Sequence, residues 1–242
     1  LPLPYVLPLV RNTTFLYSIT MAANLHSDIT IIGAGLVGLS LANALGQAGM
    51  SVILLDASDP ERWKNPVFDG RTCAIAQGGR RIFTGIGVWD QMAPHAGPIR
   101  DIRITDGESP LHLHYRHSDV SNEPMGYIIE NNHIRTALLN GLKRYSNISF
   151  HAPSRWTSLQ QDTHHAHIIT DRDATIRCKL LVAADGVRSP VRNALNIPVD
   201  VTQYQQTAIV CTVHHSMPHQ CVAVEKFLPS GPFAILPMAD PH

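Results

Sequence analysis

Gly33-Ala34-Gly35-Leu36-Val37-Gly38, with the carboxylate of Asp56 further along, is the constellation in this 242-residue chain whose residue types and spacing could hold a ligand. Gly33 makes a tight turn, Gly35 lets the backbone approach a pyrophosphate closely, and Gly38 lets a helix pack against a strand. A helix that starts here offers free N–H groups and the positive end of its dipole to phosphate oxygens. Asp56 stands eighteen residues after Gly38. There a carboxylate accepts hydrogen bonds from both ribose hydroxyls of an adenosine and repels a 2′-phosphate. A second carboxylate, Asp185, precedes Gly186 in a sharp turn and is flanked by Arg188 and Arg192. Open α/β sheets bind ligands beside such turns at strand C-terminal ends.

The flanking pattern supplies the elements these residues need. Ile29, Ile31 and Ile32 form a β-branched run before Gly33, and Leu39, Leu41, Ala42 and Leu45 then recur at helical spacing. Gly49 stops that helix, Val52 to Leu55 read as a second buried strand, and Asp56 closes it. The unit is a βαβ, so the glycines and the acid fall in register, which a lone glycine motif does not guarantee. Around the second carboxylate, Leu180 to Ala184 read as a buried strand. Ser189 with Pro190 forms an N-cap and a proline at the first helical position, opening a short helix that ends near Leu195.

Composition narrows the function classes. The net charge is zero, so no basic surface argues for nucleic acid. Cys73, Cys178, Cys211 and Cys221 show no CxxC spacing and read as reduced thiols of a cytosolic-type compartment. The fourteen histidines have no Cys or carboxylate partners at metal spacing, so no metal is expected. His112, His114 and Arg116 alternate with Leu111, Leu113 and Tyr115, the pattern of a strand with one wet face; His164, His165 and His167 sit in a similar setting. Residues 1–20 carry Pro2, Pro4, Pro8 and Arg11 and make a poor membrane span and a poor signal peptide. They are expected to be a disordered or non-native leader, with Met21 a natural start.

Ala57 to Gly70 reads as a polar loop, and Gly78 to Trp89 as a short helix. Between them Arg71 is placed to contact phosphate or flavin, or equally to cap surface packing. Ile99 to Leu113 alternates around Asp106-Gly107 as a β-hairpin. Gly126 to Glu130 is an apolar run. Asn131 to Tyr145 places Ile134, Leu138, Leu139 and Leu142 on one helical face, with Asn131 or Asn132 as N-cap. Short strands are expected at Ile148 to Phe150, Ser158 to Gln160, His165 to Thr170 and Thr175 to Cys178.

With GAGLVG at 33–38 and ADGVRSPVR at 184–192 in place, the chain resembles the class A flavoprotein aromatic hydroxylases, the family with the p-hydroxybenzoate hydroxylase fold. The stretches at 70–99, 127–139 and 225–238 are similar to the ubiquinone-biosynthesis FAD-dependent hydroxylases of the UbiH type. The resemblance implies an α/β fold: a Rossmann-like FAD-binding domain over 26–98 and 127–198, with an inserted β-rich substrate domain over 99–126 and 199–242. It puts Gly33, Gly35, Leu36, Val37 and Gly38 at the pyrophosphate and Asp56 at the adenosine ribose. Arg71 falls beside the cofactor, Glu130 or Asn131 near the flavin-side helix, and Asp185, Gly186 and Arg192 at the second motif. The family's third motif, a Gly-Asp pair that holds the flavin ribityl chain, is absent, so the chain is expected to be an N-terminal fragment with an incomplete substrate domain.

For the intact enzyme the resemblance implies FAD as cofactor, NAD(P)H as co-substrate, and O₂ as the source of the oxygen placed on a polyprenylated phenol. That substrate implies a cytoplasmic protein in peripheral contact with the inner membrane or with a ubiquinone-biosynthesis complex. The floor of the ring pocket is expected in the β-rich segments around 99–128 and 200–238, with Thr207, Val210 and Phe233 lining it. Two other readings stand beside this one: another flavin-dependent dehydrogenase or oxidase, and a catalytically silent FAD-binding module.

Overall fold

The computed structural model describes residues 24–64 and 70–241. In chain order the regular elements are β1 (Asn24–Ile32), α1 (Leu36–Gln47), β2 (Val52–Leu55), α2 (Glu61–Lys64), β3 (Thr72–Ala76), α3 (Gln77–Gly85), α4 (Trp89–Met92), β4 (Gly97–Ile99), β5 (Asp101–Asp106) and β6 (His112–Arg116). They continue with β7 (Gly126–Glu130), α5 (Asn131–Leu142), β8 (Ile148–His151), β9 (Trp156–Gln161), β10 (Ala166–Thr170), β11 (Thr175–Ala183), α6 (Pro190–Ala194), β12 (Val222–Leu228) and β13 (Gly231–Ile235).

Three sheets organise them. The six-stranded sheet runs β8-β2-β1-β11-β10-β9, with β1 parallel to both β2 and β11, and β9 and β10 joined antiparallel at one edge. A three-stranded sheet runs β3-β7-β4, and a four-stranded sheet runs β13-β12-β5-β6.

Strands β1 and β2 are central because both their faces are apolar. Ile29, Ile31, Val52 and Leu54 point into a core shared with Leu39 and Ala42 of α1 and Ile134 and Leu138 of α5. Their neighbours Ile32, Ile53 and Leu55 point the other way, against Ile168, Ile176, Cys178 and Val191. Ile31 and Leu54 are fully buried, each stabilising by about 1.5–3 kcal/mol relative to an exposed side chain. Helices α1 and α5 are tied by Asn43, whose amide donates to the carbonyls of Leu39 and Leu138 at 2.8 and 3.0 Å. Gly141 leaves room for that side chain; a Cβ there would overlap the Asn43 amide oxygen.

Several expectations are corrected. The helix read over Gly78 to Trp89 is two helices, α3 and α4, broken where Gly87 takes φ +69. The N-cap position of α5 is Glu130, with no side-chain cap; the Asn131 amide oxygen is taken by the Cys73 thiol, which donates to it at 2.9 Å. Thr175 to Ala183 is one continuous strand, and its second half is not buried: Leu180 is 53% exposed. On β6 no dry face forms: Leu113 and Tyr115 are exposed like His112 and Arg116, and His114 is half-buried against the Asp101 carboxylate at 3.1 Å. The polar loop after Asp56 contains the short helix α2. The segment 200–238 holds regular strands only from Val222 onward. The leader and Met21 lie outside the described residues.

Candidate functional site

The glycine turn sits at the C-terminal end of β1. Gly33 has φ +107, a conformation that only glycine adopts without strain, and a Cβ there would overlap the Ala184 carbonyl. Gly38 lies directly on the Gly33 carbonyl, so the first turn of α1 packs against the turn with no room for a side chain. Gly35 has open space where a Cβ would stand. One glycine thus shapes the turn, one seats the helix, and one leaves the surface clear. No side chain caps α1 and no acid lies in its first turn, so the N–H groups there face outward toward any anion that arrives.

Asp56 is held against this turn. Its Oδ2 accepts from the Ala34 N–H at 2.6 Å and its Oδ1 from the Ser58 N–H at 2.7 Å. The carboxylate therefore braces the turn from the end of β2, and each oxygen keeps a lone pair for a further donor. This bracing was not foreseen; an acid at the end of a second strand signals ribose contact in sequence, not contact with its own turn.

The second motif abuts the first. The Ala184 N–H donates to the Ile32 carbonyl at 2.7 Å, extending the β1–β11 ladder to the last residue before both turns. Gly186 takes φ +92. Asp185 Oδ2 accepts from the Val191 N–H at 3.0 Å, and Ser189 caps α6 by accepting from the Arg192 N–H at 3.0 Å. Asp185 Oδ1 is buried and has no partner among the described residues. A buried carboxylate oxygen without a donor is costly unless a ligand supplies one. The Arg192 guanidinium donates from Nη2 to the Val187 carbonyl at 2.9 Å, turning back onto its own turn.

Arg71, Glu130 and Asn131 form a separate group. Thr72 pairs with Glu130 across β3 and β7, and the Asn131 N–H donates to the Arg71 carbonyl at 3.0 Å. Burial pushes the Cys73 thiol up, keeping it a neutral donor to Asn131. Two residues on, the His133 ring stacks on His95 with centroids 3.6 Å apart, and its affinity for a proton falls through burial first and His95 second, with Glu130 opposing. This group meets the glycine turn through a shared core containing Ala34, Leu36, Cys73 and Ile129. Thr207 and Val210 lie in an exposed stretch without regular structure, and Phe233 is 56% exposed on β13. Two concave surfaces lie elsewhere, one along Ser158, Gln160 and His167, the other along Ser27, Ser51 and Asn147.

Two adjoining turns at the C-terminal ends of parallel strands, an uncapped helix and two carboxylates define a dinucleotide-binding α/β protein. Solved structures with the same fold include PqsL of Pseudomonas aeruginosa, with TM-score 0.65 at 21% identity over 74% of this chain and 48% of that one. The p-nitrophenol 4-monooxygenase PnpA of Pseudomonas putida gives TM-score 0.63 at 21% identity, over 74% of this chain and 45% of that one. The model of the FAD binding domain family matches residues 26–240, and the chain belongs to that family. Among curated relatives, the ubiquinone hydroxylase UbiL of Rhodospirillum rubrum is 44% identical over 91% of this chain and 51% of its own length. UbiM of Neisseria meningitidis is 32% identical over 90% of this chain and 48% of its own. The chain thus spans about half the length of the curated relatives it matches.

The residues present fit FAD: the cleared surface at Gly35 suits a pyrophosphate, and the unpartnered Asp185 oxygen awaits a donor such as a hydroxyl or ring N–H.

Proposed function

We propose that the chain carries the FAD-holding part of a monooxygenase that uses NAD(P)H and O₂ to hydroxylate the ring of a polyprenylated phenol in ubiquinone biosynthesis. The observation that carries this reading is the abutment of the two turns, together with the buried Asp185 Oδ1 that has no partner among the described residues and the open space at Gly35. The names of the relatives, ubiquinone hydroxylases in two bacteria, support the substrate class.

FAD, when bound, supplies the redox chemistry; the chain's own residues bind, orient and screen. The first-turn N–H groups of α1, at Leu36, Val37 and Gly38, meet the pyrophosphate. Asp56 accepts from the adenosine ribose while holding Ala34 in place. Asp185, fixed by Val191, accepts from the bound cofactor, and Arg192 stiffens the turn around it. Arg71, Glu130 and Asn131 stand toward the flavin. Domain limits of 26–98 and 127–198 for this part, and 99–126 with 199–242 for the substrate side, belong to the same proposal. So does peripheral contact with a membrane or a biosynthetic complex, where a polyprenylated substrate resides. No helix among the described residues is long and apolar enough to cross a membrane.

The test is a titration of the purified chain with FAD, followed by its visible absorption. A bound-flavin spectrum is expected, with Asp185→Ala weakening binding by roughly fivefold or more, the equivalent of about 1 kcal/mol for a lost hydrogen bond. No perturbed flavin spectrum at any concentration would overturn cofactor holding by this chain. Bound flavin without phenol-coupled NAD(P)H consumption, once the remaining length of a relative is joined on, would favour the dehydrogenase or oxidase reading.

A further inference from the structure

Helices α1 and α5 run in the same direction, and their contacts fix the register between them. The Asn43 side chain donates to the Leu138 carbonyl at 3.0 Å, and further along α1 the Gly46 carbonyl accepts from the Asn147 side chain at 3.0 Å. A Cβ on Gly46 would also meet Tyr145 and Ile148, just past the end of α5. Seven residues back from Asn43 is Leu36, the first residue of α1, and seven back from Leu138 is Asn131, the first residue of α5. Seven residues rise by about 10 Å on either helix, so the two N-terminal ends stand side by side. The end of α1 is the one assigned to the pyrophosphate, and Asn131 therefore borders the same surface.

Two of the first three backbone N–H groups of α5 are already taken, that of Asn131 by the Arg71 carbonyl at 3.0 Å and that of His133 by Asn132 Oδ1 at 2.7 Å. The side-chain amide of Asn131 adds two donors, on Nδ2, and one acceptor, Oδ1. Such an amide can face either way. The end it presents decides whether it attracts or repels an oxygen-rich ligand. Here the choice is made by Cys73 on β3, whose thiol donates to Asn131 Oδ1 at 2.9 Å. The thiol keeps its hydrogen because burial opposes the thiolate. With Oδ1 held toward β3, the Nδ2 donors are turned away from that strand.

We propose that Cys73 is a positioning residue: its thiol fixes the Asn131 amide so that Nδ2 donates to an oxygen of bound FAD beside the pyrophosphate. The inference rests on the reading of this site as an FAD site. Cys73 acts through Asn131 and not on the cofactor. Its side chain is half-buried against the core that also holds Ala34, Leu36 and Ile129. An apolar residue there would pack, but it could not hold the amide.

That contrast makes the test. FAD affinity and melting temperature are measured on the 242-residue chain and on Cys73→Val, Cys73→Ser, Asn131→Ala and Cys73→Val/Asn131→Ala. Cys73→Val keeps an apolar side chain and loses the donor; it is expected to melt no lower than the native chain yet to bind FAD about three- to tenfold more weakly, the loss of one hydrogen bond. Cys73→Ser keeps a donor and is expected to bind FAD more tightly than Cys73→Val although it melts lower. In the Asn131→Ala background, Cys73→Val is expected to change FAD affinity no further, because the two residues act as one unit. Affinities that follow melting temperature, with valine at least as good as serine, overturn the proposal, since they would make Cys73 a packing residue. So does a loss from Cys73→Val that persists in full without Asn131. A native chain that takes up no FAD at any concentration overturns the cofactor reading and this inference with it, whereas native binding with either of the first two results overturns this inference alone.

Discussion

Leu54 on β2 and Leu113 on β6 are the same residue type within strands, yet the first is fully buried and the second is 52% exposed. The difference is one of cover. Around β1 and β2, helices α1 and α5 close one face and the β9–β10–β11 region with α6 closes the other, so every apolar side chain finds a partner. The four-stranded sheet is closed only near its foot, where Ala223 meets Ile99 and Ile128, while Phe227, Phe233, Leu113 and Tyr115 stay in contact with water. The ligand turns grow out of the closed region. A rigid, fully packed pair of strands can hold two turns in register, which a half-covered sheet could not do.

The widest gap between the regions should appear on truncation. Leu54→Ala is expected to lower stability by about 2–5 kcal/mol, the transfer loss plus the cavity it leaves, read as a drop in denaturation midpoint. Leu113→Ala should cost under about 0.5 kcal/mol, as at an exposed site. Equal losses would break the comparison, because they would mean that the four-stranded sheet is covered in solution.

A smaller effect separates the turn from the strands beneath it. Asp56→Ala strips two N–H groups of their acceptor, and about 1–3 kcal/mol of stability is expected to go with them. Because the same carboxylate is assigned to the cofactor's ribose, FAD affinity should fall in the same variant. A loss of stability with unchanged affinity would confine Asp56 to bracing the turn.

Smaller again is the cap of α6. Ser189→Ala leaves the Arg192 N–H without its acceptor and is expected to cost about 1 kcal/mol, while Ser189→Asp keeps the cap. Since α6 also presents the Val191 N–H to Asp185, the alanine variant should weaken FAD binding without any change at a group that touches it.

Much of the closed region was legible because its signals are local. The run Ile29 to Ile32, the glycine spacing and Val52 to Leu55 specify strand, turn, helix and strand with no knowledge of the rest of the chain, and Ser189-Pro190 specifies a helix start the same way. What was missed depends on residues distant in sequence. Asn131 or Asn132 was expected to cap α5, but the cap position falls to Glu130, and Cys73, fifty-eight residues away, takes the Asn131 amide oxygen. Leu180 was expected to be buried because its strand is apolar; burial needs a covering layer, and among the described residues none reaches it. The dry face expected of β6 does not form because no layer among the described residues covers Leu113 and Tyr115, while Asp101, across the hairpin, draws His114 partly inward. Among the site residues, the partners of Asp56 and Asp185 are backbone N–H groups, which leave no mark in a side-chain pattern.

The smallest expected effect lies where the closed region meets the β3–β7 pair. The folded His133 ring binds a proton less readily than its ordinary value of 6.5, through burial and the stacked His95 ring. On acidification the unfolded chain therefore takes up its proton first. The stabilising contribution is whole above the unfolded value and is lost as pH falls from there through the lower folded value. His151, also depressed by burial and by Arg172, adds in the same direction. Denaturation midpoints measured from pH 7.5 down to about pH 5 should decline in the native chain and decline less steeply in His133→Gln, with the remaining slope owed in part to His151. If His133→Gln leaves the slope unchanged, the stacked pair does not couple protonation to folding. The junction between the cofactor turn and the Arg71 group would then be held by the shared apolar core alone.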